Sequence, residues 1–517
     1  MRTHRKERTL VLGFLAVWFV LNLIFLTRFP LVHSDEAWLS GLTRNMLASG
    51  SPAVTEPFFD LKPRYPHAIK ILFHLLQMPF LLIFGDTVFA VRLPSLLAGV
   101  AALYLVFRCA RAVASFWLSL GVAVLVSVCG PFIDASHTAR QEILLFVMQL
   151  MLLLPLLQSG GRVTGRLCAR LGLLAGLSAG LHPNAFLLAL GGGGALVLMM
   201  LVRRRFRLRP LLGYIAVTGG VALVFVGLSF LFDPQFPAHY VRYGQTEFDL
   251  VVPVADKFQA FVGYLGRLWR GESGTYVLPD LRPLMALAAL LIPSGIARAF
   301  RKRDAAPAVI AGLALGALLG TILIGRYNQL SAALWLLPCL LLVAPLLSGK
   351  RLAAIALPAV TAVFALAAVP GIRTAAAYPY ETYLSQIARY ASPEDKALAN
   401  LNAGFFFENG RLLDVRNLSY LKENGLTFQQ YVQSRGIEVI LWSGEMDYLY
   451  RRRPDFNTVY GNLRYVEEAE AFFAERCTLV GSFENPGYAV RLAQEIGKPY
   501  RVDVYRVNPS AGSGVAP

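Results

Sequence analysis

Two adjacent carboxylates, Asp35 and Glu36, follow the first long apolar run of this 517-residue chain within a few residues, in "LVHSDEAWLSG". A carboxylate held at a membrane edge can take a proton from a weak nucleophile lying within hydrogen-bond reach. Other ionisable side chains fall on the same side of the apolar runs. Six of the seven histidines (His33, His67, His74, His137, His182 and His239) lie in or near the same set of loops, with Asp60, Glu142, Lys62, Arg64 and Arg140. Any one of them, taken alone, reads equally well as solvated loop charge. Gathered at membrane depth they would be costly, and groups kept there at a cost tend to be functional.

The elements that must position these residues are membrane helices. The chain is 56% hydrophobic and only 16% charged, and apolar runs of about 18 to 22 residues recur through its first two-thirds, long enough to cross a bilayer. The first, "TLVLGFLAVWFVLNLIFLT" from Thr9 to Thr27, carries no charge. It is too long for a signal-peptide core and lacks a small-residue cleavage site, so it reads as a retained anchor. The net charge of +17 is confined to clusters between apolar runs: "RTHRKER", Arg108 with Arg111, "GGRVTGR", "RRRFRLR", "RAFRKR" and "GKR". Placing every cluster in the cytoplasm satisfies the positive-inside rule and gives about eleven helices, amino terminus inside and carboxyl end outside. The basic excess is thus a topology signal and implies no nucleic-acid partner. A multi-pass protein of the cell (plasma) membrane is expected.

Two stretches of the first outer loop, "EAWLSGLTRNMLASG" and "PHAIKILFHLLQMPFLLIFG", read as helices that do not cross, the first lying along the membrane surface. A second long outer loop, Asp233 to Asp280, shows little periodicity and reads as a lid or binding loop. "GGGG" at Gly191 to Gly194 sits inside a helix, where small residues allow close packing. From about Gly371 the composition becomes that of a soluble domain, with "LTFQQYVQSRG" as a helix and "IEVILW", "CTLVGSF" and "RVDVYRV" as strands. The expected organisation is a transmembrane domain, 1–370, followed by an extracytoplasmic α/β domain, 371–517, in which no catalytic motif stands out. The cysteines offer neither a disulfide framework nor zinc spacing.

Four motifs occur in order near the start: Asp35-Glu36, Lys62-Pro63, Phe84-Gly85 and Arg92-Leu93-Pro94-Ser95. Together with "HTARQEILLF", which contains Arg140 and Glu142, and "GRYNQLSAALWLLPCLLLVA", they resemble the GT-C glycosyltransferases, most closely the ArnT-like and protein O-mannosyltransferase-like branch. The resemblance spans about the first 370 residues. It departs at "SAGLHPNAF", where His182 stands in place of a frequent lysine, and at "PRYPHA", which interrupts a Lys-Pro-Pro run.

The resemblance implies an integral-membrane, inverting enzyme that passes a sugar from a polyprenyl-phosphate carrier to an extracytoplasmic lipid, glycan or protein. It implies a hexosyl- or pentosyltransferase with Asp35 as general base, Glu36 in support and Glu142 as a second acidic group. The departing phosphate gains negative charge, which fixed cations in a dry site would stabilise. Lys62, Arg64, His182 and Arg326 are the candidates, with Tyr327 as a neutral donor. No cofactor is required by this reading, although a divalent metal cation is left open, with Asp60, His67 and His137 as candidate ligands. The rival is a polytopic transporter or lipid flippase. Transporters commonly carry internal repeats; none is evident here, and the charged residues cluster on one face.

Overall fold

The structure is a computed structural model that describes residues 2–248, 253–272, 277, 279–325, 329–452, 460–491 and 500–509. Arg326 and Tyr327 lie outside the described residues. The membrane part comprises α1 (Arg2–Phe25), α2 (Ser34–Ser49), α3 (Ile71–Phe84), α4 (Val88–Arg111), α5 (Phe116–Ser127), α6 (Gly130–His137) and α7 (Glu142–Gln158). It continues with α8 (Gly165–Leu177), α9 (Ala185–Val202), α10 (Leu208–Phe232), α11 (Phe236–Phe248), α12 (Val254–Arg270), α13 (Arg282–Lys302) and α14 (Ala305–Ile324). A broken helical stretch, Leu330–Leu347, and the Ala353–Ala377 helix complete it. Among the described residues eight helices are long and apolar enough to cross a membrane, nine if α5 and α6 form one bent span. The chain is a multi-pass membrane protein, and α7 and α8 are shorter helices within its bundle.

Close packing explains the internal glycines. A Cβ on Gly194 would lie 2.4 Å from the Gly312 carbonyl, and one on Gly316 would lie 2.1 Å from that of Leu190. Only glycine lets α9 and α14 meet backbone to backbone there.

Three expectations change. The apolar run from Trp117 to Ala135 predicts one continuous helix; it breaks instead, and α5 and α6 meet at 67°. Pro131 sits in the first turn of α6, where its missing N–H costs nothing, and Gly130 is pressed against Pro279, where a Cβ would come within 2.8 Å. The second outer loop contains two helices, α11 and α12. The apolar side chains of α12 recur at helical spacing, so Phe261, Tyr264 and Leu268 are buried on one face. Third, α2 is not a surface helix: nine of its residues, including Ala37, Ser40 and Arg44, are buried. It lies under the carboxyl-terminal domain, whose Gly404 sits against Ala37.

That domain holds a five-stranded sheet of order β2-β1-β3-β5-β4, with β1 (Ala397–Ala399), β2 (Leu412–Asp414), β3 (Val439–Ser443), β4 (Cys477–Glu484) and β5 (Arg501–Val507). The first three strands pair in parallel and β5 runs antiparallel to both β3 and β4. The three strands expected from alternation are β3, β4 and β5, and "LTFQQYVQSRG" contains the Phe428–Ser434 helix. The three-residue strands β1 and β2 are too short to show a period. Both are completely buried.

Candidate active site

The first turn of α2 fixes the site. His33 caps it: its Nδ1 accepts the Asp35 N–H at 3.0 Å, while Glu36 Oε1 accepts the His33 N–H at 3.0 Å. Reciprocal bonds of this kind satisfy two otherwise orphaned donors at a helix start. Glu36 is completely buried. Arg92 of α4 grips it in a fork, Nη2 to Oε1 at 2.7 Å and Nε to Oε2 at 2.8 Å, and Oε2 also accepts the Ala139 N–H at 2.8 Å. The other end of Arg92 donates to the carbonyls of Leu26 and Pro30 at 2.9 and 3.0 Å. One buried ion pair thus joins the end of α1, the start of α2, α4 and the approach to α7.

Asp35 is the partly open member of the pair, its side chain 28% exposed. It pairs with Arg140, which also reaches Glu142 Oε1 at 3.1 Å. A single guanidinium therefore holds two carboxylates, from the first turns of α2 and α7, side by side. Two adjoining cavities flank this cluster; Arg140 and Glu142 border one of them, and Asp35 borders neither. The larger, about 150 Å³, is bordered by His33, Ser34, Asp134, Thr138, Asn402 and Arg491. The smaller, about 20 Å³, is bordered by Asp134, Thr138, Arg140 and Glu142 against apolar walls that include Pro131 and Leu281. Asp134 and Thr138 belong to both.

The carboxyl-terminal domain completes this wall. Arg491 donates to Ser34 Oγ at 3.2 Å. Burial lowers its affinity for a proton, and the neighbouring charge of Arg416 acts in the same direction, against the pull of Asp414 and Asp35. Arg416 lies over the rings of Trp38 and Phe59, 4.5 and 4.9 Å from their centroids. Asn417 Oδ1 accepts the N–H groups of Asp60, Leu61 and Lys62 at 3.1–3.3 Å, clamping that loop to the domain.

The remaining sequence candidates are dispersed. Lys62 is buried, its Nζ 5.4 Å from the Trp38 ring centroid and 5.5 Å from that of Phe59, and it borders neither cavity. Arg64 is forked onto Glu56 at 2.7 and 2.9 Å. Burial alone would raise the Glu56 pKa, but the Arg64 charge and hydrogen bonds from Arg64 and Trp38 hold it at about 2. His182 accepts the Asn184 N–H at 3.0 Å in the turn before α9 and borders neither cavity.

The three candidate metal ligands occupy three environments. Asp60 accepts from Tyr431 and Arg435 of the carboxyl-terminal domain, His67 sits among Phe236 and Tyr240, and His137 bonds the Ile133 carbonyl beside Trp18. Among the described residues no group of three His, Cys, Asp or Glu side chains is placed to hold a metal ion. Two features escaped sequence reasoning. Asp134 gave one signal, an acid inside an apolar run. Its carboxylate is buried and makes no hydrogen bond or ion pair among the described residues. Arg416 and Arg491 gave none, because nothing local ties them to the membrane part.

No known family profile and no curated protein matches the sequence. Solved structures do match it. ArnT from Cupriavidus metallidurans, bound to undecaprenyl phosphate, superposes with a TM-score of 0.54 at 14% identity, over 97% of this chain and 98% of that one. This chain shares the fold of that structure. The oligosaccharyltransferase of Archaeoglobus fulgidus, tethered to an acceptor peptide, matches with a TM-score of 0.50 at 12% identity, over 89% and 72% of the two chains. AglB from the same organism, in complex with an inhibitory peptide and a dolichol-phosphate, also gives 0.50 at 12% identity, over 86% and 70%. The larger cavity lies at the junction of the membrane bundle and the carboxyl-terminal domain, and the smaller adjoins it.

His33 makes the site acid-sensitive. Burial pushes its pKa down to about 4, against the pull of Asp35, and its capping bond requires an unprotonated Nδ1. A depressed histidine pKa stabilises the fold fully above the unfolded value of about 6.5. That contribution shrinks as pH falls and is gone below the folded value of about 4. His33→Ser retains a cap without a titrating group. The melting temperature of wild type is therefore expected to fall more steeply than that of His33→Ser between pH 6.5 and 4. Parallel melting profiles would remove His33 from this role.

Proposed function

We propose that this protein is an inverting membrane glycosyltransferase that moves a sugar from a polyprenyl-phosphate carrier to a hydroxyl acceptor outside the cytoplasm. The observation that carries the reading is the Asp35–Arg140–Glu142 cluster, in which Asp35 is ion-paired to the Arg140 that borders, with Glu142, a cavity in the membrane bundle. In it Asp35 accepts the acceptor's proton as the new glycosidic bond forms on the face opposite the leaving phosphate. Arg140 holds that carboxylate in place, and Glu142 and Asp134 accept hydrogen bonds from substrate hydroxyls. The phosphate is a good leaving group and needs no general acid. Fixed positive charge stabilises the second negative charge it gains. Arg491, on the wall of the larger cavity, supplies that charge most directly, with Arg326, Tyr327 and Lys62 as further candidates.

The ligands of the structural neighbours support a lipid-phosphate donor: undecaprenyl phosphate on ArnT and a dolichol-phosphate on AglB. The basic clusters support cytoplasmic loops and an outward-facing site. The decisive experiment incubates purified protein in lipid vesicles with a panel of undecaprenyl-phosphate sugars and follows free undecaprenyl phosphate. A glycosyltransferase releases the carrier in step with product formation or hydrolysis. A flippase carries the intact donor across the bilayer and releases none, and that outcome would replace this reading with the transport one.

A further inference from the structure

An apolar groove lies between α5 and the Ala353–Ala377 helix, at the end of the bundle away from the cavities. Its volume is about 940 Å³, and Leu118, Gly121, Val124, Ala354, Thr361 and Ala365 form much of its wall. The two helices touch where Gly121 meets Leu357; a Cβ there would stand 2.4 Å from Leu357 Cδ2. Beyond that contact the small residues at 354, 361 and 365 leave the space that larger apolar side chains would fill.

The mouth has a different character. Lys350 and Arg351 border it, both exposed, and neither side chain makes a hydrogen bond or ion pair among the described residues. Trp117, 69% exposed, stands beside them, as suits a side chain at the level of lipid headgroups. From Ala353 to Ala365 a helix advances roughly 18 Å, close to the ~15 Å of hydrocarbon in one leaflet. The groove is therefore one leaflet deep, dry along its length and doubly positive at its opening.

We infer that this groove binds an anionic glycerophospholipid, its chains lying between α5 and the Ala353–Ala377 helix and its headgroup on Lys350 and Arg351. A zwitterionic headgroup brings its own cation and leaves the two basic side chains uncompensated. The site is independent of the sugar-transfer reading.

Native mass spectrometry of the full chain tests it, after exchange into an equimolar mixture of phosphatidylglycerol, phosphatidylcholine and undecaprenyl phosphate. Each basic residue near an anionic lipid surface contributes about fivefold. Wild type should thus retain one phosphatidylglycerol with a preference over phosphatidylcholine of about 25-fold. The double variant Lys350→Ala/Arg351→Ala, altered only at exposed positions, should lose that preference with its melting temperature unchanged. Ala354→Leu/Ala365→Leu, which fills the groove and keeps both cations, should lose the retained lipid. Equal retention by wild type and the cation-free variant would overturn the proposal, as would preferential retention of undecaprenyl phosphate.

Discussion

Asp35→Asn is expected to insert, fold and bind the undecaprenyl-phosphate donor like wild type while losing about 10²- to 10⁴-fold in sugar transfer, the usual contribution of a placed general base. The substitution preserves shape and one acceptor oxygen, and removes only the ability to take a proton. The side chain is 28% exposed, so the change strands no group in a dry interior. Arg140 keeps Glu142 as a partner, which should hold the local geometry. The measurement is release of undecaprenyl phosphate by purified protein, with donor binding determined separately. Transfer within a few-fold of wild type would reduce Asp35 to an ordinary ion-pair residue and remove the proposed base.

The adjacent residue should fail in the opposite way. Glu36→Gln places an amide NH₂ against the Arg92 guanidinium or the Ala139 and His33 N–H groups, all of which now donate to the carboxylate. Removing one partner of a buried ion pair costs about 3 to 5 kcal/mol, because the surviving charge stays buried and uncompensated. The expected result is a large drop in melting temperature and in yield of folded protein, and Arg92→Met should do the same. The double variant Glu36→Gln/Arg92→Met should be less destabilised than the sum of the two singles, since each single already breaks the pair. Thermal unfolding in detergent measures all four proteins. A Glu36→Gln protein that melts like wild type and is inactive would return Glu36 to the catalytic group.

The Asp35-Glu36 dipeptide shows how far a linear reading reaches. Charge at the end of an apolar run marks a place where ionisable groups meet a membrane edge, and that much depends only on local composition. The division of labour within the dipeptide depends on Arg92, 56 positions away from Glu36. Lys62 and Arg64 make the same point. Both are cations in the outer loop, but one lies over aromatic rings and the other is forked onto Glu56. The arginine on the wall of the larger cavity is Arg491, from a domain in which no motif stood out.

The apolar runs, the basic clusters between them, the change of composition near Gly371 and the strands β3 to β5 were all legible along the chain. Each follows from residue properties repeated within a few turns or strand periods, and hydrophobic burial acts on such repeats wherever they occur. The 67° break before α6, the burial of α2 beneath the carboxyl-terminal domain, the exposure of Asp134 to both cavities and the approach of Arg416 and Arg491 to α2 were not. Those features come from packing between segments hundreds of residues apart. A buried charge or a close contact gains its stability from its partner's position, and no periodicity along the chain records that position.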